Sequence, residues 1–363
     1  MTATGTTVLA TVRNKVGYLT LNRLTKLNTL DLSMIRQLHG HLRAWEDDPQ
    51  VLAVVLSAVG DKAFCAGGDI RALYDSYLSG DGQHQQFFEE EYALDLHIHR
   101  YRKPTLALID GLALGGGMGL IQGAMLRVIT ERSRLGMPEV AIGYFPDVGA
   151  SYFLSRLPGE LGVFLAVTGQ LVNCADALYA GLADVCIPCA QLDEIRSQLD
   201  SHVWGPDPDR DLRQLIAPFG ISPSPGPLET YRSAIDDYFA LPDMIMIHDA
   251  LLTVTPSAHE GWARDISTLL DSRSPLAMSV TLELMRRGRT RSLEQCFAME
   301  RSLGRQWFAN GDIMEGIRAL IVDKDNRPKW QSASLQATTA TQVQAFFAGV
   351  GQLPGDAPEP SPQ

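Results

Sequence analysis

Short apolar runs separated by polar segments predict buried strands along the first third of the chain. The runs at 16–22, 51–59, 104–110 and 126–130 are rich in aliphatic and β-branched side chains, which is typical of strands covered on both faces. A helix is expected near 69–78, between two of these runs. Strands that alternate with helices predict crossover units, and therefore an α/β fold.

The segment between the first two runs has the spacing of an amphipathic helix. Asp31 or Ser33 is placed to cap its first turn, because short polar side chains accept hydrogen bonds from the free N–H groups there. The apolar positions that recur at helical spacing are Leu32, Ile35, Leu38, Leu42 and Trp45.

The pattern changes at about residue 200, where Pro- and Gly-rich connectors replace the alternation of strand and helix. We therefore expect residues 1–200 to form the α/β core and 201–335 to form a mainly helical region. The end of the chain, 336–363, is Pro-rich and has no apolar period, so it is expected to be a partly disordered tail.

Charge and cysteine content narrow the function classes. The 363 residues carry a net charge of −11, which argues against nucleic acid and anionic membranes as partners. Five cysteines, an odd number and scattered, fit a reducing compartment, and we expect a cytoplasmic protein. Cys186 and Cys189 form a C-x-x-C pair, but no second pair or His pair follows at zinc spacing, so no metal site is predicted.

No membrane-spanning or secretory segment is predicted. The N-terminal residues have no long apolar core and few arginines. The longest apolar stretch, 105–129, is interrupted by Asp110, Gln122 and several glycines, which is typical of a buried core segment.

Two glycine-rich loops follow predicted strands. "LALGGGMGLIQGAM" (112–125) lacks the G-x-G-x-x-G spacing of a dinucleotide fingerprint, and it lacks the G-K-[ST] of a P-loop. A third interpretation is an oxyanion hole, in which bare backbone N–H groups approach a carbonyl oxygen, with "AFCAGGDI" (63–70) supplying a second donor. Two ordinary strand-to-helix turns remain an alternative.

Two acidic residues stand in the weakly polar segment "MPEVAIGYFPDVGASYFLSRL" (137–157). Apolar surroundings raise a carboxyl pKa, which makes Glu139 and Asp147 candidates for general acid/base chemistry. Asp147 is alternatively the cap of the helix that "DVGASYFLSRL" predicts.

These segments, together with "NRLTKLNTL" (22–30), resemble the crotonase (enoyl-CoA hydratase/isomerase) superfamily in order and spacing, over about residues 8–330. The resemblance implies an α/β fold, a crotonase-like spiral of ββα units with a C-terminal helical region. It also implies an acyl-CoA substrate bound by the 1–200 core, CoA being part of the substrate and no separate cofactor being needed. The thioester oxygen is then held by the N–H groups of Ala66 and Gly116.

The resemblance also places the rest of the substrate. CoA is expected near Lys26 and Leu27, with Lys324 as a further phosphate contact. The loop residues Gly67, Gly68 and Asp69 are expected at the substrate.

Within the superfamily, the chain is most similar to the 3-hydroxyisobutyryl-CoA hydrolase branch, notably in "EGIRALIVDKDNRPKW" (315–330). Hydratases carry a catalytic Glu two residues after the triple glycine, where this chain has Gly119. The branch resemblance implies thioester hydrolysis in valine degradation. The residues that it places around the substrate are Glu91, Gly116, Glu139 and Asp147.

Several alternatives stay open at this point. An enoyl-CoA hydratase or isomerase acting with Glu139 alone, and a non-catalytic acyl-CoA-binding protein, are the competing functions. Glu139 is either a nucleophile that forms an anhydride or a general base that activates water. The acyl group and the oligomeric state are also open, since many members of the superfamily form trimers or hexamers.

Overall fold

The strands form two sheets in a computed structural model that describes residues 6–253 and 259–350. The first sheet has the order β1-β2-β3-β5-β7-β9, and the second has the order β4-β6-β8. The strands are β1 Val8–Arg13, β2 Val16–Leu21, β3 Ala53–Ala58, β4 Ala63–Cys65, β5 Thr105–Ile109, β6 Leu112–Leu114, β7 Leu126–Thr130, β8 Arg134–Gly136 and β9 Val185–Ile187.

Strand pairing follows the predicted crossover pattern. β1 and β2 form an antiparallel hairpin, and every other named strand pair is parallel. The four strands predicted from apolar runs are confirmed as β2, β3, β5 and β7. Their mostly buried side chains agree with strands that are covered on both faces.

Helices make up most of the remaining regular structure. They are α1 Leu32–Glu46, α2 Ile70–Ser79, α3 Gln83–His99, α4 Gly116–Gln122, α5 Ala150–Phe153, α6 Leu161–Thr168, α7 Cys174–Ala180, α8 Leu192–Ser201, α9 Pro208–Ile216, α10 Pro227–Thr230, α11 Arg232–Phe239, α12 Met244–Leu252, α13 Glu260–Asp271, α14 Pro275–Gly288, α15 Leu293–Asn310, α16 Ile313–Ile317 and α17 Ala340–Phe347. No helix in the described ranges is long and apolar enough to cross a membrane.

The chain divides into two compact units that interleave in sequence. The first unit contains the residues up to 69 together with 93–136 and 172–229, and the second contains 70–92, 137–171 and the residues from 230 onward. This division differs from the predicted boundary at residue 200. The chain enters the second unit at 70 and again at 137, well before its composition changes.

The first unit contains both sheets and packs its core against them. Helix α1 begins where the sequence predicted, because the Asp31 carboxylate accepts a hydrogen bond from the Met34 N–H at 2.8 Å. The predicted apolar stripe of α1 is confirmed at Ile35, Leu38 and Leu42, which are buried.

The second unit is helical. All eight residues of α6 are buried, and α14 and α11 pack against this helix. Part of the predicted tail is ordered, since a capping box at Thr339 begins α17. Residues 351–363, the rest of that predicted tail, lie outside the described residues.

Candidate active site

The triple glycine lies where β6 of the first unit turns into α4. Gly115 has φ +49° and ψ −118°, a backbone conformation that favours glycine. A Cβ added to Gly117 would lie 2.4 Å from the carbonyl oxygen of Cys65, which belongs to the other glycine-rich loop. The two loops predicted from the sequence therefore touch, and Gly117 is required by the close approach of their backbones.

The N–H groups of the 63–70 loop correct one sequence prediction. The Ala66 N–H donates to the Leu27 carbonyl oxygen at 3.1 Å, so it is not available to a thioester oxygen. Leu30 bonds to the Gly67 carbonyl oxygen and to the Asp69 N–H, both at 2.8 Å. Between these two bonds, the Gly68 N–H has no acceptor in the part of the chain that the structure describes, and Gly68 is partly exposed.

The second predicted donor, Gly116, is the first residue of α4. The N–H groups of Met118 and Gly119 both point to the Gly115 carbonyl oxygen, which closes the first turn of α4. The Gly116 N–H precedes them and has no acceptor within the described ranges, as expected for the first position of a helix. Gly68 and Gly116 are therefore among the N–H groups of these two loops that have no acceptor in the described ranges.

Lys26 and Leu27 are exposed in a short turn of the first unit, which is built on Asn28. The fully buried Asn28 amide donates to the carbonyl oxygens of Val59 and Ala63 at 3.0 and 2.9 Å. These bonds hold the turn on the loop that leads into β4. The sequence analysis did not identify Asn28, although an Asn in a turn is a common structural signal.

Asp69, predicted at the substrate, is part of the scaffold of the same turn. Its carboxylate accepts a hydrogen bond from the Arg23 guanidinium at 2.8 Å. Arg23 also donates to the carbonyl oxygen and the hydroxyl of Thr29, each at 3.0 Å. The ion pair therefore joins the Lys26 turn to the glycine loop.

The second unit contains the two predicted carboxyl groups, and both are buried. Glu139 begins a 3₁₀ turn, Glu139–Ile142, and its Oε2 atom has no hydrogen-bond partner among the described residues. Asp147 accepts a hydrogen bond from the Tyr92 hydroxyl at 2.6 Å. The alternative that Asp147 caps the next helix is wrong, because Gly149 occupies the N-cap position of α5.

Burial governs the protonation of these groups. Loss of solvent raises the pKa of Glu139 well above its usual range, and the neighbouring Asp147 charge raises it further. Burial also raises the pKa of Asp147 to about 7, although the Tyr92 hydrogen bond opposes the change. With a pKa of about 7, the Asp147 carboxyl can exchange protons near neutral pH, as general acid/base chemistry requires.

Glu91 is the buried acid of "FFEEEY", with only 2% of its surface exposed. Burial is the main cause that raises the pKa of the Tyr144 hydroxyl, and the charges of Asp147 and Glu91 add to it, which places Glu91 near Tyr144 in the same unit. Glu89, by contrast, is partly exposed and pairs with Arg305 at 2.7 Å. Glu91 is therefore not a solvated surface residue.

Aromatic rings pack together next to Tyr92, whose hydroxyl binds Asp147, and the Phe88 ring lies 6.0 Å from the Tyr92 ring. Tyr144 stacks on Phe145 with ring centres 4.4 Å apart, and Phe88 lies 5.8 Å from Tyr144. The Trp307 indole packs on Phe145 and donates to the Gly143 carbonyl oxygen at 2.8 Å.

Glu300, on α15, is a further buried acid that the sequence analysis missed. Its carboxylate accepts hydrogen bonds from the N–H groups of Gly149 and Ser151, at 2.7 and 2.8 Å, directly after Asp147. The sequence contains a pattern that could have identified Glu300, since it lies at helical spacing from the buried residues Cys296 and Leu303. A charged residue on an apolar helix face points to a specific buried partner.

Other predicted contacts have no further support in the structure. Lys324 is exposed, in a loop where Arg318 pairs with Asp323 and Asp325. No cluster of His, Cys, Asp and Glu suited to a metal ion occurs in the described ranges. The cysteines are free thiols: Cys65, Cys174, Cys186, Cys189 and Cys296.

Comparisons with known proteins add independent information. The enoyl-CoA hydratase/isomerase family model matches residues 16–347. Proteins named 3-hydroxyisobutyryl-CoA hydrolase, mitochondrial, from Bos taurus and Gallus gallus are 36% and 34% identical to this chain. Each match covers 95% of this chain and 89% of that protein.

Two solved structures match over nearly the whole chain. A carnitinyl-CoA dehydratase from Mycobacterium thermoresistibile is 37% identical, with a TM-score of 0.87, and the match covers 94% of this chain and 96% of that one. An enoyl-CoA hydratase from Rhodobacter sphaeroides 2.4.1 is 34% identical, with a TM-score of 0.85, over 96% and 98% of the two chains. Both agree with the fold described above.

Proposed function

The chain belongs to the enoyl-CoA hydratase/isomerase family, and from that premise we propose that it is a thioester hydrolase that converts 3-hydroxyisobutyryl-CoA and water to 3-hydroxyisobutyrate and CoA. The observation that carries the proposal is the buried pair Glu139 and Asp147, while position 119 is a glycine. A hydratase of this family uses a carboxylate at position 119. The relatives named for the hydrolysis reaction match nearly the whole chain.

The first unit supplies the electrostatic part of the reaction. The N–H groups of Gly68 and Gly116 donate hydrogen bonds to the thioester oxygen and stabilise the negative charge that develops on it. Loss of one donor of this kind lowers kcat by about two to three powers of ten. The exposed turn at Lys26 and Leu27 binds the CoA moiety.

The second unit supplies the acid/base groups. Glu139 either attacks the carbonyl carbon, giving an anhydride that water then opens, or removes a proton from the attacking water. Its free Oε2 atom is available for either role. In both cases a C–O bond forms, the C–S bond breaks, and the electron pair leaves on sulfur.

Asp147 gives a proton to the leaving thiolate or positions the water that attacks. Its pKa, raised by burial to about 7, keeps a proton available near neutral pH. The buried Glu91 lines the substrate in this proposal, on the same helix as Tyr92.

The substrate assay separates this function from its alternatives. Purified protein is offered 3-hydroxyisobutyryl-CoA and, separately, crotonyl-CoA. A thiol reagent reports free CoA, and ultraviolet absorbance reports loss of the conjugated enoyl group. We expect rapid thiol release from the first substrate and little hydration of the second, since position 119 has no carboxylate.

Glu139→Gln is the matched variant for this assay. It should remove most of the thiol release and leave CoA binding, measured by calorimetry, largely unchanged. Fast hydration of crotonyl-CoA without thiol release would replace the hydrolase with a hydratase. Binding of CoA without either reaction in the unmodified protein would identify a binding protein instead.

We further propose a cytoplasmic location and a homo-oligomer. The named relatives are mitochondrial, whereas the cytoplasmic location of this chain rests only on its composition and its free thiols. A homo-oligomer likewise stays a prediction, which the molar mass in solution would test.

A further inference from the structure

The turn that carries Asp147 has an unfavourable backbone conformation. Val148 has φ +52° and Gly149 has φ +86°, both in the left-handed region. A β-branched residue rarely adopts this region, because its Cβ substituents crowd the backbone. Such a conformation persists only where the surrounding structure holds it in place.

Glu300 holds this turn from α15, 151 residues away from Gly149 along the chain. The Glu300 residue is 0% exposed, and its two carboxyl oxygens accept hydrogen bonds from different residues. Oε2 accepts from the Gly149 N–H at 2.7 Å, and Oε1 accepts from both the N–H and the hydroxyl of Ser151, at 2.8 and 2.5 Å.

These bonds hold backbone that lies only a few residues after Asp147 in the chain. Gly149 and Ser151 follow Asp147 by two and four residues, and the Ala150 N–H returns to the Asp147 carbonyl oxygen at 2.8 Å. The backbone after Asp147 is therefore fixed by Glu300, while the carboxylate itself is fixed by the Tyr92 hydroxyl at 2.6 Å.

The geometry points to Glu300 as a positioning residue: its carboxylate holds the strained Asp147–Ser151 turn and thereby keeps the Asp147 carboxyl in its reactive place. This inference rests on the proposed hydrolase function, in which Asp147 handles a proton or positions water. Glu300 acts only through Asp147 and does not touch the substrate.

Glu300→Gln is the test variant, because Gln has the same shape and only one acceptor oxygen. It keeps the bonds to Ser151 or the bond to Gly149, and it places an NH₂ group against the remaining N–H donor. We expect kcat for thiol release to fall by about ten- to a hundredfold, the cost of a small misplacement of a catalytic group. KM and the affinity for CoA should change by less than about threefold, since no substrate contact is removed.

Asp176→Asn is the matched control for loss of a buried carboxylate. Asp176 is a buried acid of the first unit that accepts from the Leu228 N–H at 2.8 Å. This variant should alter thermal stability and leave kcat close to that of the unmodified protein. Ser151→Ala removes only the hydroxyl donor, and it should lower kcat severalfold even if Glu300→Gln does not fold.

A double-mutant cycle asks whether Glu300 works through Asp147. In an Asp147→Asn background, measured in single turnovers with enzyme in excess, adding Glu300→Gln should change the rate by less than about twofold. An equal loss in both backgrounds, a kcat within twofold of the unmodified protein, or a parallel rise in KM would overturn the inference. Absence of thiol release from the unmodified protein would refute the proposed function instead.

Discussion

At the scale of single residues, one hydrogen bond opposes the effect of burial on Asp147. Desolvation favours the neutral acid, whereas the Tyr92 hydroxyl donates to Oδ2 and favours the carboxylate. Glu139 lies near enough for its pKa to respond to the Asp147 charge. The two carboxyl groups therefore titrate as a pair, and the pH–rate profile should report pKa values that belong to both.

Tyr92→Phe should move the alkaline limb of the pH–rate profile upward. Removal of the donor withdraws stabilisation from the Asp147 carboxylate, so the acid keeps its proton to a higher pH. The measurement is kcat for thiol release across the neutral range. Tyr152→Phe is the control, because Tyr152 instead contacts the Arg156 guanidinium, 3.7 Å from its ring centre. A downward shift for Tyr92→Phe, or an equal shift for the control, would contradict this account.

At the scale of elements, the β4 and β6 loops determine where N–H donors are left free. Parallel pairing of these strands brings Cys65 beside Ala113, and the following loops pack together with Gly117 against the Cys65 carbonyl oxygen. Leu27 and Leu30 bind the Ala66 N–H, the Gly67 carbonyl oxygen and the Asp69 N–H of the first loop. The Gly68 and Gly116 N–H groups are among those that have no acceptor in the described ranges.

Gly116→Ala and Gly117→Ala should therefore have different effects. At Gly117 a Cβ would lie 2.4 Å from backbone, so we expect a loss of unfolding free energy of about 1–3 kcal/mol. Gly116 is outside the left-handed region, so Ala should cost less stability. A Cβ at Gly116 should instead lower kcat, because it would stand where the thioester oxygen approaches. Thermal unfolding and thiol release, measured on both variants, test whether the two substitutions differ in this way. Equal stability loss with normal kcat in both would make the loops plain structural turns.

At the scale of the whole molecule, buried acids make stability depend on pH. The pKa of Asp147 rises from 3.8 to about 7 on folding, and burial raises that of Glu300 from 4.5 to about 8. Between the unfolded and folded values the unfolded chain releases protons that the folded chain keeps. These groups therefore lower the stability as the pH rises from about 4 to about 8.

Asp147→Asn should remove the part of the pH dependence of stability that Asp147 causes. The stability of the variant relative to the unmodified protein should rise between about pH 4 and pH 7, by no more than about 4 kcal/mol, and then level off. Denaturant unfolding at several pH values measures the difference. Asp193→Asn is the control, since this side chain is 95% exposed. A constant difference across the range would mean that Asp147 is ionised throughout.

Features that depend on local pattern could be predicted from the amino-acid sequence. Apolar runs identified the core strands, and the candidate caps Asp31 and Ser33 indicated where α1 begins, because periodicity and capping act over a few residues. The glycine loops and the pair Glu139 and Asp147 could be chosen as candidates in the same way. Their order and spacing carried the family resemblance, which the family match confirms.

Which polar groups are free and which are hydrogen-bonded depends on contacts between distant parts of the chain. Ala66 and Gly68 look equivalent in "AFCAGGDI", and the Leu27 carbonyl, from a separate turn, occupies the Ala66 N–H. Tyr92 and Glu300 reach Asp147 and its turn from helices 55 and about 150 residues away. Contacts at such separations have no period in the sequence. They exist because packing brings distant elements together, and buried polar groups must then find their partners there.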